Sequence, residues 1–162
     1  MLIIMSEWND PEPISVLTDR AELSELVFRV ARAMDSRDWP LLSTCYTSES
    51  IGLFATGEVA GFEMIKRQYE AFLIPLDVTQ HIVTNIECSI MGEKATVRSY
   101  FQAQHVRAGA EGGEHFMIGG RYDDQMVRTP DGWRIATRQV SGMWSQGNPR
   151  VLGSTLNPTQ GA

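Results

Sequence analysis

Thr79-Gln80-His81-Ile82-Val83-Thr84-Asn85-Ile86-Glu87-Cys88-Ser89-Ile90 is the stretch at which the chain changes period. Ile82, Thr84, Ile86, Cys88 and Ile90 occupy alternate positions, Gly92-Glu93 supplies a two-residue turn, and Ala95, Val97, Ser99, Phe101, Ala103 and His105 alternate again. Two alternating runs joined by so short a turn predict a long antiparallel hairpin. Downstream, Ala108 to Glu114 reads as a Gly-rich loop, His115 to Arg128 as a third strand, Thr129-Pro130-Asp131-Gly132 as a turn and Trp133 to Trp144 as a fourth strand. Gly119-Gly120 marks an expected bulge or bend in the third strand, so the sheet should curve.

Upstream the period is helical. Leu23, Leu26, Val27, Val30, Ala31 and Met34 form one apolar stripe, with Asp19 and Glu22 spaced as a capping box at its start and Asp35 at its end. Asp38, followed by Trp39-Pro40, caps a second, short helix to about Tyr46. A small hairpin is expected around Ala55-Thr56-Gly57, and Phe62, Ile65, Tyr69, Phe72 and Leu73 define a third helix from Gly61 to Leu73, stopped by Pro75. Residues 1–17 read as an N-terminal arm, 18–144 as one domain and 145–162 as a tail. The fold class is α+β: three N-terminal helices packed on a curved, mainly antiparallel sheet, whose open end makes a pocket for a small molecule.

Composition narrows the partners. The chain has 162 residues, 43% hydrophobic and 21% charged, with a net charge of −6 and no Lys/Arg run, which argues against a nucleic-acid surface. Cys45 and Cys88 show no CxxC spacing and read as reduced, packed thiols, which suits the cytoplasm. Met1-Leu2-Ile3-Ile4-Met5 is too short for a signal sequence, and no membrane span is expected. No phosphate loop, dinucleotide fingerprint or nucleophile elbow appears, and no cofactor is expected.

Four residues invite chemistry: Asp35, His81, His105 and His115. No HxH or HExxH spacing joins the histidines, so a metal is not expected. His105 shares a strand face with Val97, Phe101 and Ala103 and should look inward. Strict alternation puts His81, Val83 and Asn85 opposite the Ile82, Ile86 and Ile90 stripe, so periodicity leaves open whether His81 faces the pocket.

The order of Ala33-Met34-Asp35-Ser36-Arg37-Asp38-Trp39, then Thr79-Gln80-His81, then Gln104-His105-Val106-Arg107, then Asp131-Gly132-Trp133-Arg134 resembles the SnoaL-like branch of the nuclear transport factor two superfamily, in particular scytalone dehydratase, bile-acid dehydratase and hexachlorocyclohexane dehydrochlorinase. The resemblance covers about residues 15 to 148. It implies that Asp35 orients His81 as a catalytic base, that His105 contacts the substrate, and that Phe101 lines the same pocket. Met34 and Leu53 fall where scytalone dehydratase has pocket tyrosines, so the resemblance implies a more apolar pocket. The expected function is that of a cofactor-independent lyase or isomerase acting on a hydrophobic cyclic molecule such as a steroid, terpenoid or polyketide. A non-catalytic binding or assembly module, such as an oxygenase β subunit, is the alternative on the same fold. A homo-oligomer, trimer or dimer, is expected in either case.

Overall fold

A computed structural model describes residues 13–155. Helix α1 runs Ile14–Ser36, α2 Trp39–Ser43 and α3 Phe62–Leu73; the strands are β1 Tyr46–Phe54, β2 Gly57–Ala60, β3 Val78–Met91, β4 Lys94–Val106, β5 His115–Thr129 and β6 Gly132–Gly147, and a 3-10 segment follows at Pro149–Thr155. The strands form one six-stranded sheet in the order β2-β1-β6-β5-β4-β3, antiparallel except for the β1–β6 pair. The helices precede the four long strands and the small hairpin lies between α2 and α3, as expected, but β1 is longer than expected and is a full strand of the main sheet, paired with β6. Among the described residues, no helix is long and apolar enough to cross a membrane.

The apolar stripe of α1 is buried throughout, with Leu23, Leu26, Val27, Val30 and Met34 at 2% exposure or less. The helix starts earlier than the capping-box reading placed it. Pro13, with φ −54°, is the N-cap, and residues 14–17, expected in the arm, are helical. Asp19 lies inside the helix, where its carboxylate accepts from the Arg128 guanidinium and the Trp133 indole instead of capping backbone amides. The rest of the expected arm lies outside the described residues. At the other end Arg37 adopts a left-handed conformation, with φ 55° and ψ 33°; its N–H bonds Met34 O and the Asp38 N–H bonds Ala33 O, a paired closure that fixes Asp35 in the last turn. The strain of a left-handed non-glycine residue is offset by the Arg37 side chain, which donates to Leu73 O and Leu76 O at 2.5–3.2 Å. Asp38 caps α2 by accepting the Leu41 N–H at 2.9 Å, but the helix ends at Ser43, because Tyr46 is already paired with Ile135 of β6.

Three extra residues bend the sheet. In β3, Asn85 and Ile86 both lie across from Ser99 of β4, since Thr84 pairs with Tyr100 and Glu87 with Arg98. Asn85 has φ 54°, a conformation that asparagine tolerates better than most side chains. In β6, Ala136 and Met143 are the unpaired residues. The bulge near Gly119-Gly120 is therefore on the partner strand, and the glycines serve close approach. A Cβ on Gly119 would sit 2.1 Å from the Trp144 indole, and one on Gly120 2.4 Å from Ser141 O and 2.6 Å from the Phe101 ring. The tail expected from Ser145 is ordered through Thr155: β6 continues to Gly147, and the 3-10 segment buries Val151 and Leu152. The remainder of the tail lies outside the described residues.

Candidate active site

β3 is an edge strand, and α1 packs along it, with Arg20 reaching Cys88 O near one end and Asp35 reaching His81 near the other. Alternate amides of an edge strand point away from the sheet and need partners. The His81 N–H finds one in Asp35 Oδ2 at 2.9 Å, while Asp35 Oδ1 lies 2.6 Å from His81 Nδ1. One carboxylate thus holds the backbone and the ring of the same residue. Because a carboxylate only accepts, His81 Nδ1 donates to Asp35, which leaves Nε2 as the ring nitrogen that the carboxylate does not engage. The His81 side chain is 7% exposed, and Asp35, at 26%, keeps one edge in an outer groove beside Phe28 and Arg32.

The Asn85 bulge settles which way His81 faces. Before it, Thr79, His81 and Val83 point inward and Ile82 is 52% exposed; after it, Ile86, Cys88 and Ile90 are the inward set. One strand therefore presents a histidine to the interior at one end and an isoleucine stripe at the other, which uninterrupted alternation forbids.

His81 opens on a cavity of about 210 Å³ enclosed by the sheet, α1, α3 and the 3-10 segment. Met34, Phe101 and His105 line it, as expected. Leu53 does not. It faces an outer groove with Glu87, Arg98 and Asp123, and the adjacent Phe54 takes the inward position on β1. His115 lies at the start of β5 and is exposed, outside the cavity wall. The His105 ring meets that of His81 edge to face, with centroids 6.1 Å apart, and its Nδ1 donates to Phe116 O at 3.3 Å. Burial first, and the neighbouring His81 second, push the His105 imidazole down to about 4, so it is neutral at pH 7 with Nε2 as an acceptor.

Two phenols line the cavity, Tyr69 of α3 and Tyr122 of β5. Tyr69 stood on the apolar stripe of its helix, where a lone hydroxyl among hydrocarbon was the available signal. Tyr122 stacks on Phe101 with centroids 4.3 Å apart and lies under the Arg138 guanidinium at 4.5 Å. Arg138 is 1% exposed and forms a bidentate pair with Asp124 at 2.8 and 2.6 Å, so a paired cation lies behind the aromatic wall. Among the described residues, no three His, Cys, Asp or Glu side chains gather as metal ligands.

Residues 15–139 match the model of a family described as the SnoaL-like domain. An uncharacterized protein of Mycobacterium tuberculosis is 31% identical over 127 residues, 77% of this chain and 86% of the relative. The terrestric acid biosynthesis cluster protein E of Penicillium crustosum is 27% identical over 150 residues, 87% of this chain and 96% of the relative. Among solved structures, a putative scytalone dehydratase from Novosphingobium aromaticivorans superposes with a TM-score of 0.76 at 18% identity, covering 83% of this chain and 91% of that one; this likeness bears on the fold.

Proposed function

The chain belongs to the SnoaL-like family, and we infer from that premise that it is a cofactor-independent lyase or isomerase in which His81 removes a C–H proton from a hydrophobic cyclic molecule. The double hold of Asp35 on His81 carries the reading. One Asp35 oxygen satisfies an edge-strand amide, and the other, on Nδ1, is placed as a carboxylate that orients a histidine base would be. The carboxylate selects the tautomer with Nε2 free, and it stabilises the imidazolium formed when Nε2 takes a proton. General-base catalysis of this kind is typically worth 10²–10⁴-fold in rate. His105, uncharged and with Nε2 free, accepts a hydrogen bond from the substrate. The apolar wall of Met34, Phe54, Phe72, Phe101 and Ile118 suits a fused-ring skeleton. A relative from a fungal biosynthesis cluster supports a substrate of the secondary-metabolite kind.

Proton abstraction can be read without the natural substrate. Ring ketones with acidic α-hydrogens, headed by 2-tetralone, are incubated in D2O with the protein, and deuterium uptake is followed by NMR. We expect exchange above the buffer rate for the wild type, about 10²-fold slower exchange for Asp35→Asn, and background for His81→Gln. Equal exchange in all three proteins, or none above buffer across the series, would sink the reading in favour of a binding or assembly module. We also propose that the chain works as a homo-oligomer, because Ile82, Tyr100, Met143 and Trp144 expose 44–62% of their surface around one groove on the outer face of the sheet.

A further inference from the structure

Gly52 and Phe54 share the inward face of β1, two positions apart. A Cβ on Gly52 would lie 2.4 Å from Phe54 Cε2 and 3.0 Å from its Cζ, with Ile65 Cγ1 next at 3.2 Å. The Phe54 ring therefore lies back along the strand, in the space that a side chain at 52 would fill. The backbone has no need of glycine there, because Gly52 is not one of the residues with positive φ. What the molecule uses at 52 is the missing methyl group. On the far side of that space stands Ile65 of α3, which is fully buried, and the Tyr69 ring meets Phe54 edge-on with centroids 5.6 Å apart. The hairpin tip beyond is tied to the same helix, since Gln68 Nε2 donates to Thr56 Oγ1 at 2.8 Å. β1, Ile65 and Tyr69 thus hold the ring from below, behind and beside, and its open side is the cavity that it lines.

We propose that Gly52, acting through Phe54, sets the size of molecule that the cavity accepts, and that its guests have one or two rings. The assignment rests on the cavity being the substrate site of the proposed lyase or isomerase; it does not rest on His81 being the base. An apolar cavity of about 150 Å³ takes in one benzene, and this one measures about 210 Å³, which leaves room for a second fused ring but not for a third. A bicyclic polyketide or terpenoid skeleton meets that limit, and the four fused rings of a steroid do not. A methyl group at 52 would meet the far end of a flexible side chain, so the ring yields before the backbone does. A close-packed interior has no slack behind it, and its way out is into the cavity, where it displaces part of a guest. Gly52 touches no guest itself; it is a positioning residue whose effect is read in what binds.

Naphthalene and phenanthrene are the probes, with binding followed by their fluorescence. The wild type should bind naphthalene, and phenanthrene at least about tenfold more weakly. Gly52→Ala should weaken naphthalene about tenfold or more, and Gly52→Ala/Phe54→Ala, which removes the displaced ring, should return it to within about threefold of the wild type. Phe54→Ala alone should bring phenanthrene to about the affinity of naphthalene, and it carries the test if Gly52→Ala does not fold. A glycine needed only for packing would give a lower melting temperature in Gly52→Ala with naphthalene binding unchanged, and that result would overturn the proposal. So would a folded double variant that fails to recover naphthalene, or a wild type that binds both hydrocarbons equally. Hydrocarbon binding needs no base, which separates the two readings. Size selection without deuterium exchange keeps this assignment and removes the lyase or isomerase, whereas exchange without size selection does the reverse.

Discussion

His105 shows how a single buried side chain writes a pH dependence into the fold. Its imidazole titrates near 6.5 in the unfolded chain and is pushed down to about 4 in the folded one, by burial and then by His81. Between those values the unfolded chain holds a proton that the folded chain lacks, so stability rises with pH through this window. The contribution is complete above 6.5 and lost on acidification through 4, and it amounts to at most about 3 kcal/mol. His105→Asn keeps a donor near Phe116 O and removes the titration. Urea unfolding at a series of pH values should therefore show a steeper rise from pH 4 to 6.5 for the wild type than for His105→Asn. Parallel profiles would contradict the buried, neutral state. Of the residues singled out from the sequence, Met34, His81, Phe101 and His105 line one cavity with Asp35 behind His81; period accounts for the inward faces of Met34, Phe101 and His105, whereas the face of His81 depends on the Asn85 bulge. Leu53 does not line it, since β1 was too short in the sequence reading for its phase to be counted. Tyr69 and Tyr122 went unassigned because an aromatic on an apolar stripe looks like packing until its hydroxyl's surroundings are known.

Elements were legible where a pattern ran unbroken and misread where one residue was inserted. The hairpin turn at Gly92-Glu93, the inward face of β4 and the extent of α3 follow the sequence pattern. The faces of β3 and β6 do not, because Asn85, Ala136 and Met143 each shift the phase by one. Thus Val140 reaches the cavity while Met143 is 62% exposed. The local hint in β3 was the asparagine itself, a residue at ease in the left-handed region. Gly119 and Gly120 can be told apart by what a methyl group would meet. At Gly120 it would strike the Ser141 carbonyl, which is backbone and fixed by the sheet, as well as the Phe101 ring. At Gly119 it would strike the Trp144 indole, which is 44% exposed and free to swing outward. Gly120→Ala should cost about 2 kcal/mol or more, and Gly119→Ala about 1 kcal/mol or less. Denaturant midpoints giving the opposite order would show that Ser141 yields more readily than Trp144.

Over the whole molecule, one curved sheet serves two clients, a cavity on its inner face and an apolar area on its outer face. If the outer area joins copies of the chain, light scattering at micromolar concentration should give a dimer or trimer, and Trp144→Lys should shift it toward monomer while leaving the melting temperature of the isolated chain within a few degrees. A wild-type monomer at that concentration would refute the assembly. Arg37 ties the acid-bearing end of α1 to the end of α3 and the turn after it. Its backbone closes α1 just beyond Asp35, and its guanidinium makes three hydrogen bonds to the carbonyls of Leu73 and Leu76 at the end of α3. The acid-bearing helix end and the opposite wall are thereby braced into one frame, which cannot part to admit a guest without breaking those bonds. The exposed tip of the small hairpin at Ala55 and Thr56 borders the cavity together with Leu152 of the 3-10 segment, and a guest entering there would leave those bonds intact. A doorway at that rim would be built from a different part of the chain than the Asp35 and His81 pair, so the size of the guest could change there without disturbing the pair.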